Sequence, residues 1–254
     1  MLAALPRDVG LVVLASLGPT ADALHVALVS RSLRATVLAY AAQLKNVVFQ
    51  SCSPTDAARV AFFLRHAKGL EHLSFRASHR LVTDAFLAAI APLLGALTSL
   101  SLAYCTELTS VAPLTSCVSL RQLDLAGCAK LRTLGFALPS LRVLRCAWCR
   151  QLTAHEIVHT KLAITELSLE GWDVADMEVQ LALVLRANQA IEALSLINVP
   201  LSASGLFVVF NLAAKLRRLA LSKKSANVWV DGTWELPTLQ AWMRRRPSID
   251  VTLV

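Results

Sequence analysis

A nine-residue phrase is written three times between Leu97 and Cys149. Leu97–Cys105 reads LTSLSLAYC, Leu120–Cys128 reads LRQLDLAGC and Leu141–Cys149 reads LRVLRCAWC. Numbered from the first residue of each copy, apolar side chains hold positions one, four and six, and Cys holds position nine. In the third copy Cys146 takes the apolar position six. Side chains two apart on an extended chain share a face, so positions four and six bury one side of a short strand. The Cys falls where the chain turns off that strand, and its small thiol tolerates burial there. One such unit has nothing to bury its apolar face against, so units must stack.

The phrase extends in both directions. Further copies start at Leu44, Leu70, Ile164, Ile191 and Leu216, and successive starts lie 26, 27, 23, 21, 23, 27 and 25 residues apart. IDVTLV from Ile249 reads as a last, truncated strand. The spacing and period resemble the cysteine-containing subclass of leucine-rich repeats, over about Leu44 to Val254. The expected fold is therefore an α/β leucine-rich-repeat solenoid, a horseshoe with parallel strands on its concave face. The returns from Asp56, Thr83 and Asp176 carry acids near their starts and apolar residues at helical spacing, which predicts helices. The shorter returns VAPLTSC and TLGFALPS read as extended or one-turn.

Residues 1–43 change period from two to about 3.6. Val9, Val13, Leu14 and Leu17 share a helical face, Gly18-Pro19 breaks the chain, and helical stretches follow through Leu24–Leu28 and from Arg31 to Ala42. Leu5-Pro6-Arg7-Asp8-Val9, Val13-Leu14, Leu17 and Leu28-Val29-Ser30-Arg31-Ser32-Leu33-Arg34 resemble the F-box pattern in order. Leu33 stands where that family usually has Trp, and the Gly18–Ala23 loop is one residue long for it. The resemblance implies a division into an F-box-like helical module (1–43) and a repeat solenoid with a C-terminal cap (44–254). It further implies that Leu5, Pro6, Val9, Val13, Leu14, Leu17, Leu28 and Val29 bind a Skp-family adaptor and, through it, a cullin. The alternative is a plain helical cap, since the first unit of a solenoid needs its open side covered.

Several other features of the sequence point elsewhere. Ala85–Thr106 and Ala193–Ala214 carry no charge and are long enough to span a bilayer. The first straddles the repeat start at Leu97, and the two contain Pro92 and Pro200, so no membrane is read as a partner. Gly10–Leu17 followed by Ala21-Asp22-Ala23 is reminiscent of a secretion signal, but the preceding Pro6, Arg7 and Asp8 are not its positive start. Four of the six cysteines occupy position nine, Cys146 is a core position and Cys117 lies in a return; unpaired thiols favour the cytoplasm or nucleus. Cys146-x-x-Cys149 has the spacing of a redox or zinc pair, but the repeat already accounts for both residues. His155-Glu156-Ile157-Val158-His159 matches the zinc-peptidase pattern on a return too short for a catalytic helix. The net charge of +8 concentrates after Lys215, with Arg244-Arg245-Arg246 and Trp229, Trp234 and Trp242 interleaved. That mixture suits nucleic acid or an acidic partner, but a C-terminal cap explains it with less, so no nucleic acid is expected.

No nucleophile triad, paired carboxylates or phosphate-binding loop was found, so the expected chain is not an enzyme and takes no cofactor and no metal. Its work is binding. Strand residues between the core positions face out, and Tyr104, Asp124, Arg145, Trp148, Glu166 and Glu170 form the expected partner-binding patch, since aromatic side chains beside Arg dominate binding surfaces. The full expectation is the substrate-recognition subunit of an SCF-type ubiquitin ligase, with a target protein on the concave face. The alternative is a leucine-rich-repeat interaction scaffold with no ubiquitin role.

Overall fold

The structure is a computed structural model and describes residues 31–135, 138–159, 163–222, 229–230, 233–234, 241 and 244–254. The repeated phrase becomes a ladder of very short strands. These are β1 (Asn46–Val48), β2 (His72–Ser74), β3 (Ser99–Ser101), β4 (Gln122–Asp124), β5 (Val143–Arg145), β6 (Glu166–Ser168), β7 (Ala193–Leu196) and β8 (Arg218–Leu221). A small antiparallel pair, β9 (Trp229–Val230) and β10 (Thr233–Trp234), precedes β11 (Asp250–Leu253). Strands β1 to β8 follow one another in chain order in a parallel sheet, and β11 completes it beside β8 as the ninth strand. IDVTLV is thus the last rung, as its sequence suggested.

The register puts like with like. Position four is paired with position four from Val47 through Leu73, Leu100, Leu123, Leu144, Leu167 and Leu194 to Leu219, which pairs in turn with Val251 of the last rung. All but Val251 are buried. Each leucine in that column contributes roughly 1.5–3 kcal/mol on leaving water. At the N-terminal end position six carries Phe49 and Phe75, stacked at 5.3 Å, with Phe63 and Phe86 edge-on against them.

The ladder does not stop where the strands end. The position-eight N–H donates to the position-seven carbonyl of the next unit: Tyr104 to Ala126 at 2.7 Å, Gly127 to Ala147 at 2.7 Å, Trp148 to Glu170 at 2.6 Å and Gly171 to Ile197 at 2.8 Å. Position eight is left-handed in each of the seven units from Leu44 to Ile191. Its φ is +53° at Ser51, +58° at Ala77, +61° at Tyr104, +75° at Gly127, +59° at Trp148, +63° at Gly171 and +57° at Asn198. That turn swings position nine back into the core. There Cys105, Cys128 and Cys149 point Sγ at the position-six carbonyls of the preceding unit, Phe75, Leu102 and Leu125, at 3.4, 3.2 and 3.1 Å. Ser78 makes the same contact to Phe49 with its hydroxyl. Trp172 fills the slot with an indole whose N–H donates to the Leu152 carbonyl at 2.8 Å. All six cysteines are free and buried.

The predicted helical returns are helices: α2 (Ala57–His66), α3 (Asp84–Ile90) and α5 (Met177–Ala187), joined by α4 (Ala154–His159) and α6 (Ala203–Leu212). The return VAPLTSC makes a 3-10 turn, Ala112–Ser116. Strands repeat about every 4.8 Å while packed helices need about 8–10 Å, so the helical side is the longer and the strand side is the concave one. Before the first repeat, α1 (Arg31–Ala41) buries Val37 and Ala41 in the common core and sets Arg34 over the Phe62 ring at 4.5 Å. The eight predicted adaptor-binding residues lie outside the described residues. So do Lys223, Lys224 and Trp242. Arg246 donates to the carbonyls of Ala213 and Ala214, capping the C-terminus of α6.

Candidate protein-binding surface

Positions three, five and seven of each unit point away from the leucine column, which makes the strand face a grid of side chains about 4.8 Å apart across the sheet. Five of the outward-facing residues expected from the sequence turn out to be buried: Ala103 at 5%, Ser222 at 6%, and Ala147, Ser168 and Ala193 at 8% each. On a concave grid that fine, a methyl or hydroxymethyl is covered by longer neighbours on the adjoining strands.

The six predicted patch residues fall into three groups. Arg145, Glu166 and Glu170 line one open depression of about 270 Å³, together with Arg218, floored by Ser168 and Ser195. Glu166 is held from both sides: Arg145 Nη2 lies 2.6 Å from Oε1, and Arg218 Nη2 lies 3.5 Å from Oε2. Glu170 Oε1 accepts from Ser195 Oγ at 2.9 Å. These pairs are solvent-facing, so each contributes no more than about 1 kcal/mol to folding. Their guanidinium and carboxylate groups remain open to a partner.

Asp124 stands alone on β4, where its carboxylate accepts from Ser101 Oγ at 3.1 Å and from the Ala126 N–H at 3.0 Å. Tyr104 and Trp148 form the third group, on the rim where the chain leaves β3 and β5. They remain 51% and 40% exposed. Their placement follows from the left-handed position eight, and each ring reaches across to the position-eight glycine of the next unit. A Cβ added at Gly127 would lie 2.5, 2.9 and 3.2 Å from three adjoining Tyr104 ring carbons; one added at Gly171 would lie 2.3, 2.5 and 2.6 Å from Trp148 Cε3, Cδ2 and Cζ3. Near-equal distances to three bonded ring atoms put Gly171 over the face of the indole rather than its edge. Sequence reasoning found the two aromatics but not this seating. Its signal was present: Gly occupies the aromatic's own position one unit later, twice.

Elsewhere, the histidine-rich motif is tied into the repeat. Glu156 Oε2 accepts the Leu134 N–H at 2.9 Å, and the His155 and His159 rings lie 3.9 Å apart, tilted by 52°, on the six-residue α4. Among the described residues no three His, Cys, Asp or Glu side chains converge as a metal site requires. No helix among them is long and apolar enough to cross a membrane.

The sheet, the column of leucines and the stack of returns define a leucine-rich-repeat fold. Among solved structures, the leucine-rich repeat-containing protein LegL7 from Legionella pneumophila is similar at a TM-score of 0.53 and 14% identity, covering 90% of this chain and 80% of that one. That likeness is one of fold. No protein-family model matches the sequence, and no curated protein does.

Proposed function

We propose that the chain is a non-catalytic protein-binding receptor that holds a partner protein on its strand face. The observation that carries this reading is the pair of exposed rings, Tyr104 and Trp148, on the rim of the strand face that carries the Arg145–Glu166–Arg218 array and Glu170. Large rigid aromatics next to Arg supply most of the energy in protein interfaces. Concave solenoid faces present such groups over many strands at once.

The finer reading is that residues 1–43 dock a Skp-family adaptor, which makes the chain the target-recognition subunit of an SCF-type ubiquitin ligase in the cytoplasm or nucleus. Leu5-Pro6, Val13-Leu14 and Leu28-Val29 support it, standing in F-box order directly ahead of the first repeat. In this role the chain brings a target lysine near a ubiquitin-loaded enzyme and performs no chemistry itself. The test is binding of purified full-length chain to a purified Skp-family adaptor. Leu5→Ala with Pro6→Ala should weaken it about ten- to a hundredfold, since each buried apolar side chain is worth roughly 1.5–3 kcal/mol. Absence of adaptor binding by the folded wild type overturns the ligase role and leaves the scaffold reading.

A further inference from the structure

We infer that the rim carrying Tyr104 and Trp148 is a site for a proline-containing extended segment of the partner, of the pattern acid-x-x-Pro-x-x-Pro-base. This rests on the receptor reading above and adds the chemistry of what is bound.

The argument begins with spacing. The two rings are two units apart, so along the sheet they repeat at about 9.6 Å, twice the strand separation. A polyproline II segment has three residues per turn and rises about 3.1 Å per residue, so its residues i and i+3 face the same way about 9.3 Å apart. A β-strand presents same-face residues at about 6.7 and 13 Å, which misses both rings together.

The second observation is presentation. Each ring lies against the next unit's glycine, the indole by its face, and stays 51% (Tyr104) or 40% (Trp148) exposed, so each aromatic is a shelf held in place from beneath. Flat aromatic shelves are what proline rings dock against. Left-handed backbone at Tyr104 and Trp148 fixes both side-chain directions, so little freedom is lost on binding.

The third is charge. Along position seven, beside the rim, the side chains run Arg76, Ala103, Ala126, Ala147 and Glu170. Opposite charges thus flank three methyl groups across four units, about 19 Å, which is six residues of polyproline II. The Tyr104 ring lies level with Gly127, two units from Arg76, and the Trp148 ring lies level with Gly171, beside Glu170. A segment placed along this row sets an acid at Arg76, a proline three residues on at Tyr104, a second three further at Trp148, and a base at Glu170.

The test is a selection by the full-length chain from a displayed library of random twelve-residue peptides, with the selected sequences resynthesised and measured by calorimetry. The expected result is enrichment of Pro-x-x-Pro flanked by one acid and one base. Their affinity should fall at least about tenfold for Tyr104→Gly with Trp148→Gly, a variant whose backbone the left-handed turns accept readily. Arg76→Glu with Glu170→Arg should reverse the order of charges selected and leave the prolines. Enrichment of proline-free sequences that still need the two rings, such as an amphipathic helix, overturns the proposal and leaves the receptor reading. Selected peptides indifferent to both rings overturn the two together, and failure to enrich any sequence overturns the proposal.

Discussion

Position eight costs backbone energy wherever it carries a side chain. Left-handed backbone is unfavourable by roughly 1–2 kcal/mol for an L-residue and nearly free for glycine. Tyr104 and Trp148 bear that cost and recover part of it by resting on Gly127 and Gly171. Trp148→Gly should therefore leave the denaturation midpoint within about 1 kcal/mol of wild type. Gly171→Ala should lose about 1–3 kcal/mol and shift the indole, because its methyl would meet Trp148 Cε3 at 2.3 Å in a strained backbone. Chemical denaturation read by tryptophan emission measures both. The thiols make a pH prediction. Burial pushes the Cys105 thiol up to about 12 from an ordinary 9.0, and Cys128 is raised for the same reason. The unfolded chain ionises near pH 9 while the folded chain stays protonated, so this stability is complete below pH 9 and drains away as pH rises toward 12. Each pH unit costs about 1.4 kcal/mol per such thiol. A stability profile flat from pH 9 to 11 would contradict it, as would rapid alkylation of the native protein.

Between elements, the returns are sewn together by polar side chains aimed at neighbouring backbone. Asp84, in the first turn of α3, accepts the N–H groups of Thr109 and Ser110 at 2.8 and 3.1 Å and the Thr109 hydroxyl. Burial alone would raise its carboxyl, but those hydrogen bonds outweigh it and hold the group below its ordinary 3.8. Its contribution is complete above that value and is lost as pH falls through the lower, folded one. Asp84→Ala should cost about 1–3 kcal/mol at neutral pH and flatten the acid limb of the stability curve. Ser78→Ala should cost a similar amount, since its hydroxyl both receives the Cys52 N–H and donates to the Phe49 carbonyl. At this scale the sequence was informative about place and silent about partner. Phase alone located every strand from Asn46 to Leu221, because a period-two face can be read without knowing what covers it. It did not show that Ser78 and Trp172 replace the Cys donors, since that depends on how far each reaches into the preceding unit. Nor did it show the burial of Ala103 and Ala147, which is set by neighbours one strand away and more than twenty residues off in sequence.

For the molecule as a whole, each unit touches chiefly its neighbours, so stability is a sum of local interfaces along one axis. Leu144→Ala, in the middle of the column, should cost about 2–5 kcal/mol. The loss should also be uneven. Hydrogen exchange should accelerate around β5 and β6 while the phenylalanine-packed β1 and β2 keep their protection. Uniform acceleration along the chain would show that the solenoid opens only as one body.

The seating of a ring on the next unit's glycine also imposes a minimum spacing on the rim. Where one unit carries a ring, its successor has no room even for a methyl group, as Gly127 and Gly171 show. Rings of this kind therefore never occupy two adjacent units. However many repeats such a solenoid acquires, the finest graduation its rim offers a ligand is two strands, and a partner that reads it must be ruled at the same interval.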